Sequence, residues 1–230
     1  MRSNQEIQEL IAKRAAVEIQ PYSIVNLGIG IPTLIAKYVK PDGGYFHTEN
    51  GMLGVKELTS EEELDPNLVN AGKLPIAEQI GASYFNSAES FAMIRGGHVD
   101  MAFLGALQID EHGHIANWAI PGQSIMGVGG AMDLLSGVKK VVITMNHTAK
   151  NGAAKIVKSC TYPITSVRKV DIIITELAVF AYRNERLVLT ELMPGADLNE
   201  VKDKTEHPLK SPTLSHNERR CPNKWITAYM

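Results

Sequence analysis

The first apolar stripe along the chain has the period of a helix. Ile7, Leu10, Ile11, Ala15 and Ile19 recur at helical spacing, and Glu6, Glu9 and Lys13 fall off that stripe. Asn4 is the expected N-cap and Pro21 the expected stop. Ile24 to Leu27 follows as a short buried strand, after which the chain turns through Gly28-Ile29-Gly30-Ile31-Pro32. Pro32 suits the first turn of a helix with apolar positions Leu34, Ile35, Tyr38 and Val39. Pro41 to Gly44 reads as a loop, and Tyr45 to Thr48 as a strand that delivers Glu49-Asn50-Gly51 to its end. Lys56 to Asn70 is acidic and polar, a surface excursion. Asn86-x-x-Glu89 has capping-box spacing before Phe91, Ala92, Met93 and Ile94, and Gly96-Gly97 ends that helix.

The second half continues the alternation. Met101 to Leu107 is a buried strand, Asp110 to His114 a turn, and Ile115 to Trp118 its hairpin return. A glycine-rich loop, Gly122 to Gly130, leads into a helix from Ala131 to Leu135. Val141 to Met145 and Ile172 to Thr175 are β-branched runs bounded by charge, the pattern of buried parallel strands. Phe180 to Tyr182 and Leu187 to Leu189 form a hairpin around Asn184-Glu185, and Asp197-x-x-Glu200 opens a last helix ending near Thr205. These elements predict a single α/β domain with a mixed, mostly parallel open sheet covered by helices. Residues 210–230 differ in character. Lys210, Arg219, Arg220 and Lys224 stand against Glu218, with Pro212 and Pro222 among them, so the domain is placed at 1–209 and a poorly ordered tail at 210–230.

Composition narrows the function classes. The 230 residues suit one domain, and 44% hydrophobic with 21% charged residues excludes disorder of the whole chain. Lys and Arg number 23 against 25 Asp and Glu, so nothing argues for nucleic acid or an anionic membrane as partner. No apolar run approaches the ~18 residues of a membrane span. Met1 to Gln8 lacks the apolar stretch of a secretory signal, and Cys160 and Cys221 lack C-x-x-C spacing; both fit a reducing cytoplasm.

Several chemical devices are absent. Gly28-x-Gly30 has Thr33 where a dinucleotide fingerprint has its third glycine, and Gly72-Lys73 has Asn67 at the upstream glycine position of a P-loop. Gly122-Gln123-Ser124 is not followed by the glycine of a nucleophile elbow. Asp110, His112 and His114 lack a further spaced metal ligand and read as a solvated turn. What remains is His47-Thr48-Glu49-Asn50-Gly51, a carboxylate at a strand end, where open α/β sheets hold ligands. Such a carboxylate serves either as a covalent nucleophile or as part of a polar turn.

Read with its neighbours, the pentapeptide resembles the signature of the beta (B-type) subunits of the 3-oxoacid coenzyme A-transferases. The matching stretches are Asn26 to Thr33, Phe46 to Gly54, Asn70 to Lys73, Gly81 to Phe85, Ser90 to His98, Leu104 to Gln108, Ala116 to Trp118, Pro121-Gly122 and Gly129 to Leu134. They run in family order from about Ile7 to Pro208. The resemblance implies the open α/β fold of the CoA-transferase superfamily, shared with sugar-phosphate isomerases that lack this signature. It implies CoA exchange between an acyl-CoA and a short-chain carboxylic or 3-oxo acid, as in ketone-body and short-chain fatty-acid metabolism. The family's nucleophilic glutamate corresponds to Glu49. It gives an acyl–glutamyl anhydride, then a glutamyl-CoA thioester, with CoA as substrate and no tightly bound cofactor or metal. Asn26 corresponds to an amide that orients the glutamate, or else caps backbone. Gly129-Gly130 corresponds to the glycine pair whose backbone N–H, at Gly130, faces the oxyanion and whose Gly129 lines the CoA site; the alternative is a plain helix-entry turn. Lys73 corresponds to a lysine near CoA, or is a solvated loop lysine.

The family's other half carries a Gly-Gly-Phe signature that this sequence lacks. The resemblance therefore implies an alpha-subunit partner in a heterotetramer, with self-association of the isolated chain through the exposed surface. A CoA-thioester hydrolase and a non-catalytic subunit are the rival readings. Two departures stand out: Gly54-Val55 is followed by Lys56-Glu57 where the family continues Gly-Pro, and residues 210–230 have no family counterpart.

Overall fold

The computed structural model describes residues 2–40, 43–58, 64–123, 125 and 127–206; the expected tail at 210–230 lies outside them. Helix α1 (Asn4–Ala16) opens the chain. Its N-cap is Ser3 rather than Asn4: the Ser3 hydroxyl accepts from the Glu6 N–H at 3.3 Å and the Glu6 carboxylate accepts from the Ser3 N–H at 2.6 Å. The capping box needs Glu three residues after the cap, and only Ser3 satisfies that spacing here. Strand β1 (Ile24–Leu27) runs into a 3₁₀ helix, Ile31–Tyr38, which leaves Val39 outside as an extended cap. Then come β2 (Tyr45–Thr48), β3 (Met52–Lys56) and β4 (Ala77–Tyr84).

Helix α2 (Ser87–Arg95) has the expected Asn86–Glu89 capping box. Strand β5 (Met101–Leu104) ends three residues earlier than its apolar run, and the chain enters β6 (Gln108–Asp110) and β7 (Ile115–Ala116). Helix α3 (Ala131–Gly137), β8 (Lys140–Thr144), β9 (Ile156–Val157), β10 (Ile172–Ile174), β11 (Ala178–Arg183), β12 (Arg186–Leu192) and α4 (Leu198–Asp203) complete the order.

Nine strands form one sheet in the order β12-β11-β10-β8-β5-β1-β2-β3-β4. The central five, β10-β8-β5-β1-β2, are mutually parallel, and the flanking β12-β11 and β3-β4 pairs are antiparallel. The β6–β7 hairpin belongs to a second, three-stranded sheet closed by β9. Strand alternation sorts the core onto two faces. Val25, Phe103, Val142 and Ile174 pack with Ile11 and Ala15 of α1; Ala102, Val141 and Ile173 pack with Ile94 of α2 and Leu134 and Leu135 of α3. The parallel strands share one direction, so Gly28, Glu49 and Gly105 all leave the same edge of the sheet.

Candidate active site

Glu49 sits in a turn fixed from three sides. The Gly51 N–H donates to the Thr48 carbonyl at 3.0 Å, and the Phe85 N–H donates to the Gly51 carbonyl at 2.9 Å. Gly51 has φ +123°, and a Cβ there would lie 2.0 Å from the Phe85 carbonyl oxygen, so no side chain fits. Thr48 donates its hydroxyl proton to Asn50 Oδ1 at 2.6 Å and accepts from the Ala71 N–H at 3.0 Å. Asn50 Nδ2 donates to the Val69 carbonyl at 2.8 Å. The Glu49 turn is thereby tied to the loop that carries Lys73, an exposed residue with φ +61°. Gly72 of that loop faces Ile29, whose Cγ1 would be 3.2 Å from a Cβ at position 72. The loops after β1 and β2 therefore share one edge with the Lys73 loop.

The Glu49 carboxyl is partly buried. Burial pushes its pKa above the ordinary glutamate value, and the Asn26 amide directed at it pulls the other way. Gly130 lies against the same carboxyl: a Cβ there would be 3.3 Å from Glu49 Cδ and 3.4 Å from Oε1. A Cβ here would press on the carboxyl by a few tenths of an ångström, so glycine leaves the loop before α3 its close approach. Gly129, at φ +54°, has open space around it instead. Asn26, Glu49 and Gly130 come together; Lys73 and Gly129 stay exposed on the adjoining loops.

Two residues to which the sequence pattern assigns no role, His47 and Ser90, complete the surroundings. Asn26 on β1 stands in register with His47 on β2. Its Nδ2 is 3.3 Å from both His47 Nδ1 and the His47 carbonyl oxygen. His47 Nε2 is 3.0 Å from Ser90 Oγ on α2, and the ring stacks on Phe85 with centroids 5.9 Å apart. Burial lowers the His47 pKa to about 4, so the ring is neutral. A histidine two residues before the glutamate was a visible signal, but its partner depends on strand register. Helix α2 also packs on α3, whose preceding loop carries Gly130. Arg95 Nε donates to Asp133 Oδ1 on α3 at 2.6 Å, and a Cβ at Gly137 would lie 2.1 Å from the Ile94 carbonyl oxygen, so the two helices touch backbone to backbone.

Elsewhere, Asp110 closes the β6–β7 turn, accepting from the N–H groups of His112 and His114 at 3.0 Å each. Among the described residues no group of three or more His, Cys, Asp or Glu side chains is placed to hold a metal, and no helix is long and apolar enough to cross a membrane.

Residues 8–204 match the coenzyme A transferase family. The B-type subunit of a probable succinyl-CoA:3-ketoacid coenzyme A transferase of Bacillus subtilis is 49% identical over 203 residues, covering 87% of this chain and 94% of that protein. The beta subunit of the acetate CoA-transferase of Escherichia coli is 47% identical over 203 residues, covering 87% and 92%. In fold, the chain is similar to the acyl-CoA transferase YdiF of Escherichia coli O157:H7, with a TM-score of 0.71 at 23% identity over 91% of this chain; it spans 42% of that structure's chain. A match that runs along almost the whole domain, together with relatives of similar length at 47–49% identity, places this chain in the coenzyme A transferase family, among its beta-type subunits.

Proposed function

We propose that this chain is the glutamate-bearing half of an enzyme that moves coenzyme A from an acyl-CoA to a short-chain carboxylic or 3-oxo acid. The observation that carries the reading is the meeting of a partly buried Glu49 carboxyl with the bare Cα of Gly130 on one side and the Asn26 amide on the other. A Glu49 oxygen attacks the thioester carbonyl, and the C–S bond breaks to give an acyl–glutamyl anhydride and CoA thiolate. The thiolate attacks the glutamyl carbonyl, releasing the first acid and leaving a glutamyl-CoA thioester. A second carboxylate reverses both steps and leaves as its CoA ester. The raised pKa makes the Glu49 carboxylate more basic and less solvated than a surface glutamate, both favourable to attack. Each attack builds an oxyanion, for which the Gly130 N–H is the proposed donor and the Asn26 amide the orienting group. Lys73 and Gly129, exposed on neighbouring loops, are assigned to the CoA moiety.

The relatives are themselves named as B-type or beta subunits, and the chain spans under half of YdiF. Both support a complementary alpha subunit, in a heterotetramer, that supplies the remaining CoA surface. We place the enzyme in the cytoplasm, with the transferase domain at 1–209 and residues 210–230 as an appendage; the family match ends at 204. The test uses this chain with its alpha subunit. Incubation with acetyl-CoA or succinyl-CoA and no acceptor acid is expected to leave the mass of CoA on the peptide containing Glu49, and addition of acetoacetate to remove it. Undiminished exchange by Glu49→Ala would overturn the nucleophile assignment, and net thioester loss without exchange would make the enzyme a hydrolase.

A further inference from the structure

We infer that His47 is a positioning residue for Glu49: its Nδ1 lone pair holds the Asn26 amide with the nitrogen end toward the carboxyl, and Ser90 accepts the Nε2 proton of the tautomer this requires. The inference rests on Glu49 being the nucleophile.

The hydrogen-bonding roles follow from what each atom can do. Asn26 Nδ2 lies 3.3 Å from the His47 carbonyl oxygen, which only accepts, so the amide nitrogen faces His47. The same Nδ2 lies 3.3 Å from His47 Nδ1, which must then present a lone pair. The neutral ring carries its proton on Nε2, where Ser90 Oγ accepts it at 3.0 Å. One Nδ2 hydrogen is shared between the two His47 acceptors, and the other is free to meet the Glu49 carboxyl.

The remaining amide atom argues the same way. Asn26 Oδ1 is buried without a hydrogen-bond partner among the described residues. A half-turn of the amide would not relieve it. It would set Oδ1 against the His47 carbonyl and the carboxyl, two acceptors whichever ring nitrogen carries the proton, in place of an unpartnered atom. The unpaired oxygen is what a donor-down orientation costs, and His47 makes the alternative worse.

The ring itself has no freedom to leave. His47 is 3% exposed and stacks on Phe85 within 11° of parallel. Phe85 also donates its N–H to the carbonyl of Gly51, so one residue holds both the ring and the nucleophile turn. A group so enclosed cannot touch substrate. It acts only through Asn26.

The two ring contacts can be separated in the assembled alpha–beta enzyme. An asparagine amide reaches the δ position of the imidazole and a glutamine amide its ε position. His47→Asn therefore keeps an acceptor for Asn26 and loses the Ser90 contact, whereas His47→Gln keeps the Ser90 contact and loses the acceptor. For His47→Gln, kcat is expected to fall about tenfold, the loss of one hydrogen bond to a charged group in the reacting state. The acid limb of kcat/KM for acyl-CoA is expected to move to higher pH, because a donor to the ionised carboxyl is loosened. His47→Asn is expected to keep both near wild type. Ser90→Ala, which removes the acceptor of the Nε2 proton and leaves the ring in place, is expected to move the acid limb in the same direction as His47→Gln, by less. Equal losses in both His47 variants with an unmoved limb, or a limb unmoved in both His47→Gln and Ser90→Ala, would overturn the inference. Glu49→Ala separates this from the reading beneath it: if Glu49→Ala still exchanges CoA, the nucleophile is misassigned; if Glu49 is essential and His47→Gln behaves as wild type, only the role of His47 is wrong.

Discussion

His47 and His147 are both buried, both pack beside a phenylalanine ring, and both are held by burial at a pKa of about 4. They differ in what faces the ring nitrogens. His147 Nδ1 and Nε2 each meet a threonine hydroxyl at 2.9 Å, Thr175 after β10 and Thr205 after α4. Each hydroxyl also has a backbone carbonyl within reach, Ala178 for Thr175 at 3.0 Å and Val201 for Thr205 at 2.7 Å, so in either tautomer one threonine turns its proton to the ring's lone pair while the other accepts, and the network joins α4 to the sheet. His47 meets one hydroxyl, Ser90, and one amide nitrogen that only donates. Its tautomer is set, and the direction so imposed passes through Asn26 to Glu49. One histidine fastens; the other orients. The mark of the second is the polar atom left over, Asn26 Oδ1, whereas both nitrogens of the His147 ring have partners.

The largest effect is expected where the oriented carboxyl is crowded directly. Gly130→Val places a branched side chain where even a Cβ would be 3.3 Å from Glu49 Cδ. A loss of about 10²–10³ in kcat is expected, the scale of losing an oxyanion donor, with a melting temperature close to wild type. Unchanged kcat would mean that Glu49 is not tightly framed and would erase the contrast between the two histidine sites.

Acid treatment should act on both histidines at once. Each has a folded pKa of about 4 against an ordinary value of 6.5, so below pH 6.5 the unfolded chain binds protons that the folded chain refuses. Stability is therefore lost as pH falls from about 6.5 toward 4, by up to about 3 kcal/mol for each ring. Urea unfolding at pH 7 and pH 5 measures the slope, and His147→Gln should reduce it. A slope unaltered by that variant would show that His147 is protonated in the fold.

Removal of the fastening ring tests the comparison from its other side. His147→Leu is expected to cost about 1–3 kcal/mol of stability, because the threonine hydroxyls lose a buried partner. The acid limb of kcat/KM, which reports Glu49, should stay in place. Movement of that limb would show that the two sites are coupled. The smallest effect belongs to Lys73→Ala. The residue is exposed, so any ion pair with a CoA phosphate is weak, and KM for acyl-CoA should rise at most about fivefold at constant kcat.

Local pattern was enough for much of the frame. The α1 stripe, the Asn86–Glu89 box of α2, the β-branched runs of β8 and β10, and the hairpin at Asn184-Glu185, both at positive φ, are properties of neighbouring residues. Glu49 was legible as a carboxylate at a strand end, and the motif resemblance picked out Asn26 and Gly130 as its companions. Other features had no local signature. Strand β4 has none because Ile80 and Tyr84 are exposed among Glu78, Gln79, Gly81 and Ser83, so no apolar alternation marks it. The second sheet depends on β9, two residues long, finding a β6 strand that ended far earlier in the chain.

The pairing of Asn26 with His47 and the approach of Gly130 to Glu49 were decided by tertiary structure alone. Hydrophobic period states that a segment is a strand and which face it buries. It does not state which residue of the next parallel strand lies opposite, because that register is set by the crossover between them and by the helices packed over it. A glycine likewise announces freedom of backbone. Only the folded chain shows that position 51 needs it to pass the Phe85 carbonyl, and that the bare Cα at position 130 faces a carboxylate.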